Sequence, residues 1–276
     1  MGESTVDSGL AWGRRTYVMG IINVTPDSFS GDGLGSDPAA AVDRALQMEA
    51  DGADIVDVGG MSTRPGHATV PVEEELSRVL SVLPELVAAL RVPVSIDSFR
   101  YEVVAAALDQ GATVVNDVWG LQREPRLAEL AARAGARLVL MHNQEGTEYV
   151  DLLSDIVASL RRSVATAEAA GVARDRLLVD PGIGFGKTAD QNLEVLQRLG
   201  ELKAIGLPIV LGTSRKSTIG KVLGSGPEDR LEGSAATVAL GIAAGADVVR
   251  VHDVRQMTRV CRMTDAIVRR PTTVPV

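Results

Sequence analysis

Aliphatic residues along this chain fall into two rhythms. Short unbroken runs at 17–24, 55–58, 94–97, 114–117, 138–142, 177–180, 209–212 and 248–252 read as strands buried on both faces. Between them, amphipathic or alanine-rich stretches at 38–51, 72–90, 100–109, 124–134, 151–170, 190–204, 227–244 and 255–268 read as helices. Four of the joins share one formula: Gly52-Ala53-Asp54-Ile55-Val56, Gly111-Ala112-Thr113-Val114-Val115, Gly135-Ala136-Arg137-Leu138-Val139 and Gly245-Ala246-Asp247-Val248-Val249. A Gly just past a helix accepts the left-handed cap conformation, and the aliphatic pair behind it opens a strand. The formula is the αβ turn of a parallel sheet.

Eight β/α units with no break in composition predict one closed (β/α)8 TIM barrel. It forms a single domain over 1–276, with 1–16 as an N-terminal extension and 269–276 as a C-terminal tail. An open doubly wound sheet is the competing topology, but its dinucleotide fingerprint is missing. The segment Gly182-Ile183-Gly184-Phe185-Gly186-Lys187-Thr188 imitates a phosphate loop, yet Pro181 stands where the first Gly of G-x-x-x-x-G-K-T belongs. It reads as a barrel loop.

Composition narrows the function. A chain of 276 residues with 45% hydrophobic content can bury a large core. A formal charge of -8 and a pI near 5.0 exclude partners held by a broad basic surface, such as nucleic acid or anionic membrane. Cys261 is the single cysteine, so there is neither an intramolecular disulfide nor a cysteine zinc site, and the residue reads as a buried thiol on a late helix. No stretch reaches the roughly 18 apolar residues of a membrane span, and the first 17 residues lack a signal-peptide core. A soluble cytoplasmic protein is expected.

In such barrels chemistry gathers where strands end. The polar residues closing the runs are Asn23, then Thr63 and Arg64 in the loop after the second run, Asp97, Asn116, His142, Asp180, Ser214-Arg215-Lys216, and Arg250 with His252. Singly, each has a bland reading as a helix cap or turn former; His142 reads as structural, and Asp117 and Asp253 as capping or supporting groups. Together they describe a mouth for a flat polar heterocycle beside an anion. A carboxylate accepts two parallel N–H bonds from an amidine-like edge such as that of a pterin, while Arg and Lys suit phosphate oxygens.

Five separated blocks then resemble the dihydropteroate synthases: Met19-Gly20-Ile21-Ile22-Asn23-Val24-Thr25-Pro26-Asp27-Ser28-Phe29-Ser30, Ser62-Thr63-Arg64-Pro65-Gly66, Asp180-Pro181-Gly182-Ile183-Gly184-Phe185-Gly186-Lys187, Gly212-Thr213-Ser214-Arg215-Lys216-Ser217 and Arg250-Val251-His252-Asp253. The resemblance runs in order from about residue 17 to 268. It implies a transferase that joins 6-hydroxymethyl-7,8-dihydropterin pyrophosphate to p-aminobenzoate in folate biosynthesis. It further implies pterin contacts from Asp97, Asn116, Asp180 and Lys216, and a pyrophosphate site of Asn23, Thr63, Arg64, Arg250 and His252. A p-aminobenzoate site would draw on Phe29, Thr63, Arg64, Pro65, Phe185 and Ser217. Asp97, Lys216, Arg250 and His252 would be catalytic, Asn23 would offer an oxygen to Mg²⁺, loops 24–36 and 61–70 would close over the arylamine, and a homodimer is expected.

Two positions depart from the family pattern: Met61 stands where Glu is common, and Gly31-Asp32-Gly33 replaces Asp-Gly-Gly. Both bear on p-aminobenzoate closure and sulfonamide sensitivity. Arg100 and Trp119 also look atypical. The rival readings are a pterin-dependent methyltransferase serving a corrinoid, a silent pterin-binding regulator, and a sugar-phosphate barrel enzyme. The last leaves Asp97, Asn116 and Asp180 without a common partner.

Overall fold

The computed structural model describes residues 10–24, 38–61 and 70–269. Among them, eight strands run parallel: β1 Tyr17–Asn23, β2 Ile55–Gly59, β3 Val94–Asp97, β4 Val114–Asp117, β5 Arg137–Met141, β6 Leu177–Asp180, β7 Val210–Leu211 and β8 Val248–Val251. Their order is β6-β5-β4-β3-β2-β1-β8-β7, and a parallel bridge from Val179 to Ile209 joins the two ends of the sheet. The barrel is therefore closed, as the repeat of aliphatic runs predicts.

The helices are α1 Pro38–Ala50, α2 Val72–Leu80, α3 Leu83–Ala89, α4 Tyr101–Asp109, α5 Leu127–Ala134, α6 Leu152–Ala169, α7 Ala189–Gln197, α8 Ser217–Leu223, α9 Leu231–Ala244 and α10 Val254–Val268. Three differ from the sequence reading. The expected helix 72–90 is two helices, because Pro84 lies in the first turn of α3 and cannot donate to the preceding turn. The stretch 190–204 ends as a 3₁₀ segment, Leu199–Ile205, closed by Gly206 in the left-handed region. Helix α8 has no counterpart among the expected helices, since seven residues give too little periodicity. The Gly-Ala joins do turn as expected: Gly52, Gly111, Gly135 and Gly245 have φ of +101°, +101°, +62° and +111°.

Two apolar layers hold the barrel together. The outer one packs the helices other than α8 onto the sheet through Val56, Val58, Ile96, Val115, Leu138, Leu140, Leu177, Val179 and Leu211, with Cys261 of α10 buried in it as expected. The inner one is a plug of Tyr17, Met19, Ile55, Val114, Val139, Leu178, Val210 and Val248, with Leu10 and Trp12 against it. Each fully buried aliphatic of this kind contributes on the order of 1.5–3 kcal/mol. The plug also locates the site. Side chains repeat every second residue along a strand, so the inward position one rung above the plug is Asp57 on β2, Asn116 on β4, Met141 on β5, Asp180 on β6, Gly212 after β7 and Arg250 on β8.

Candidate active site

The inward rung at the strand ends carries the site. Asp97 closes β3 and pairs in register with Asn116 of β4, while Met141 pairs with Asp180 of β6. Arg250 of β8 reaches across: its Nε donates to Asp57 Oδ2 at 2.6 Å and its Nη2 to Asp97 Oδ2 at 2.5 Å. Asn116 Nδ2 donates to the same Asp57 oxygen at 3.0 Å. One guanidinium thus serves two buried carboxylates, and the second oxygen of each, Asp57 Oδ1 and Asp97 Oδ1, is buried without a hydrogen bond. A buried acceptor left open in this way is a place for a ligand donor.

Electrostatics follow from this sharing. Burial pushes the Asp97 carboxyl up to about 7; Arg250 offsets part of that, and the like charge of Asp57 adds to it. Burial opposes the charge on Arg250, but Asp57, Asp97 and Asp180 hold its guanidinium above the ordinary arginine value. Both values rise: burial disfavours the charge on Asp97, while three nearby carboxylates keep the charge on Arg250. Asp180 is likewise raised by burial, against the Gly182 N–H and the cations Lys216, Arg250 and Lys187.

Asp180 is oriented by the loop that follows it. Gly182 N donates to Asp180 Oδ1 at 2.7 Å. This turn requires glycine: φ is +71°, and a Cβ would sit 1.9 Å from the His142 carbonyl oxygen. Lys216, just before α8, lies along Gly184 and places its Nζ 4.2 Å from the centre of the Phe185 ring, a cation–π contact. Phe185 belongs to an apolar wall with Val118 and Met141, against which Phe99 and Trp119 pack. Ser217 begins α8 and is exposed.

His252 is buried after β8, its Nδ1 3.0 Å from Ser214 Oγ. Arg215, by contrast, pairs with Asp253 through Nε at 3.0 Å and Nη2 at 2.6 Å. Asp253 is therefore a partner for Arg215, and its side chain makes no cap bond to α10. Asp117 accepts the backbone N–H groups of Trp119 and Leu121, as a turn former does. His142 is buried and held near a pKa of about 3 by burial and by Lys187, so it stays neutral, in keeping with a structural reading.

Asn23 ends β1 beside Gly59, partly exposed. Met61 stands at the near edge of the loop after β2 and is buried, so its side chain is a packing group and not a loop tip. Phe29, Thr63, Arg64, Pro65 and Gly31-Asp32-Gly33 lie outside the described residues, as does nearly all of loops 24–36 and 61–70.

Two residues escaped the sequence reading. Asp57 hides inside an aliphatic run; its signal is a carboxylate in a strand buried on both faces, which needs a buried partner. Lys187 resembled a loop lysine, yet its Nζ is turned inward to three acceptors.

A closed barrel with its polar rung at the C-terminal strand ends places the chain among the barrel enzymes that hold a flat heterocycle there. The family model that matches it, described as pterin binding enzyme, spans residues 19–252. The dihydropteroate synthase of Clostridium beijerinckii is 47% identical over 259 residues, 94% of this chain and 96% of that protein. A crystal structure of dihydropteroate synthase from Clostridium difficile in the presence of pteroic acid superposes with a TM-score of 0.90 at 50% identity, covering 94% of this chain and 99% of that one. The Xanthomonas albilineans dihydropteroate synthase with 4-aminobenzoic acid gives 0.87 at 42% identity, covering 93% and 94%. The chain belongs to the dihydropteroate synthase family.

Proposed function

We propose that the chain condenses 6-hydroxymethyl-7,8-dihydropterin pyrophosphate with p-aminobenzoate to give 7,8-dihydropteroate. The observation that carries this reading is the rung of Asp97, Asn116, Asp180 and Arg250, with open carboxylate acceptors above a sealed apolar floor. Asp180 takes the 2-amino and N3–H edge of the pterin, Asn116 and Asp97 hold its other polar atoms, and Lys216 meets the ring carbonyl. The Phe185 wall faces the arylamine, with Ser217 and the loop residues Phe29, Thr63, Arg64 and Pro65 completing that site.

The chemistry exchanges two bonds at the pterin methylene. The C–O bond breaks with its electron pair on the pyrophosphate, the arylamine lone pair forms the C–N bond, and the amine proton leaves to pyrophosphate or water. No side chain becomes a covalent nucleophile. Positive charge develops on the pterin side, where ionised Asp97 stabilises it, and negative charge on the leaving group, where Arg250, His252 and the loop residues Thr63 and Arg64 grip it. One oriented partner of this kind contributes on the order of 3 kcal/mol to lowering the barrier. Arg250 must loosen its grip on Asp97 to take the pyrophosphate, which frees Asp97 for the cation at the same moment.

Among the described residues no group of three His, Cys, Asp or Glu side chains could hold a metal ion. Asn23 at the mouth would offer its side-chain oxygen to Mg²⁺, with the pyrophosphate supplying other oxygens. When bound, it would neutralise charge on the leaving group.

Among the described residues no helix is long and apolar enough to cross a membrane. The proposed setting is the cytoplasm, consistent with the chemistry of a single buried thiol. A homodimer is part of the reading, supported by Leu193 of α7, Val222 and Leu223 of α8 and Leu240 of α9, all large and exposed on neighbouring helices.

Purified protein given both substrates and Mg²⁺ should yield dihydropteroate by mass. Absence of product with p-aminobenzoate and with other arylamines would overturn the reading, and tight cobalamin binding would transfer it to the methyltransferases.

A further inference from the structure

The loop between β6 and α7 is tied from inside by a lysine that the reaction above does not use. Lys187 Nζ lies 3.0 Å from each of three acceptors: His142 Nδ1, the Gly182 carbonyl and the Phe185 carbonyl. An ammonium has three N–H bonds, so the set is complete. His142 is kept neutral, which leaves its Nδ1 able to accept. The same loop is pinned at its margins by Gly184 N to Asn192 Oδ1 at 2.8 Å and by Tyr149 Oη to the Gly186 carbonyl at 2.8 Å.

What the loop carries gives the tie its meaning. Gly182, one anchor of Lys187, donates the N–H that orients Asp180 Oδ1. Phe185, another anchor, presents the ring on which the Lys216 ammonium rests, and Gly184 between them forms the bed for the Lys216 stem. Asp180 at the end of β6 and Lys216 just before α8 are therefore both set by one loop, which Lys187 ties from inside. Burial of the ammonium pulls Lys187 down to about 7, against the attraction of Asp180, so this is a costly residue to keep for packing alone.

We infer that Lys187 is a positioning residue for the pterin, acting through Gly182 on Asp180 and through Phe185 on Lys216. This rests on the functional reading given above. Because the tie acts on ring contacts and its acceptors include neither Arg250 nor His252, its loss removes binding shared by ground state and transition state, which raises KM and spares kcat.

The test uses 6-hydroxymethylpterin, which carries no pyrophosphate, as the binding probe on full-length protein. In Lys187→Met its Kd should rise about tenfold, and KM for the pterin pyrophosphate should rise similarly, with kcat at saturation within about twofold of wild type. Unchanged Kd in a folded Lys187→Met protein, or a fall in kcat with KM unchanged, overturns the inference. Should Lys187→Met fail to unfold cooperatively, His142→Leu removes a single acceptor of the three and should raise Kd by a smaller factor; wild-type affinity there overturns it equally. A wild-type protein that does not bind the probe at all brings down the functional reading instead.

Discussion

Arg250 is held by two carboxylates, and that sharing governs how the site responds to protons. With Asp97 raised to about 7, the free enzyme carries part of its Asp97 protonated near neutrality, and only the ionised form can stabilise a pterin cation. The ratio kcat/KM for the pterin substrate should therefore fall on the acid side with an apparent midpoint near 7. In Asp97→Asn that limb should vanish along with most of the rate; a retained limb would assign the titration elsewhere. Asp180→Ala should weaken pterin binding by about 2–5 kcal/mol, because a buried charge-assisted contact loses one member. Titration of the ring checks this, and wild-type affinity would place the ring elsewhere. Asp97, Asn116, Asp180 and Arg250 were legible in the sequence because each ends or interrupts an aliphatic run near a strand terminus. Asp57 was not, because a run of four residues hides which of them faces inward until the register is known. Lys187 was not, because nothing in a single chain tells a solvated lysine from one folded back on its own loop.

At the level of elements, all eight strands are found within one residue of their expected ends, and β7 is one residue shorter at each end. Val210–Leu211 pairs with β8, and Ile209 just before it bridges to Val179 of β6, so β7 joins the ends of the sheet with few residues. Caps were harder to foresee than strands. Helix α7 opens on a capping box, with Thr188 Oγ1 accepting from Gln191 N at 3.2 Å and Gln191 Oε1 accepting from Thr188 N at 2.8 Å. Thr188→Ala should cost about 1 kcal/mol in urea unfolding. A loss well below that would mean the fixed β6–α7 loop, and not the box, starts the helix. Asp151 caps α6 through Ser154 N at 2.9 Å, the same device in simpler form.

For the molecule as a whole, the site opposes the fold. Asp97 and Asp117 are raised to about 7 and about 6, and Asp180 is raised as well, each chiefly by burial. A carboxyl whose folded pKa exceeds its unfolded value binds more protons when folded, so its contribution to stability is present below about pH 4 and is lost as pH climbs through the folded value. Asp97→Asn removes that loss and leaves Arg250 paired one to one with Asp57. The difference in Tm between Asp97→Asn and wild type should be small near pH 4 and should grow in favour of the variant up to about pH 7, then level off. A variant less stable than wild type at pH 8 would show that the Arg250 contact outweighs the burial of charge. The barrel itself was readable from repetition, since eight similar units leave few ways to close, whereas loops 24–36 and 61–70 carry no period to read. The aliphatic plug has a last consequence. It acts as the seat of a socket, and the bulk of Ile55, Val114, Leu178 and Val248 fixes how deep a bicyclic guest can sink before its edge meets the carboxylates. Trimming one methylene there would tilt or lower the guest, so residues that never touch a reacting atom govern its aim.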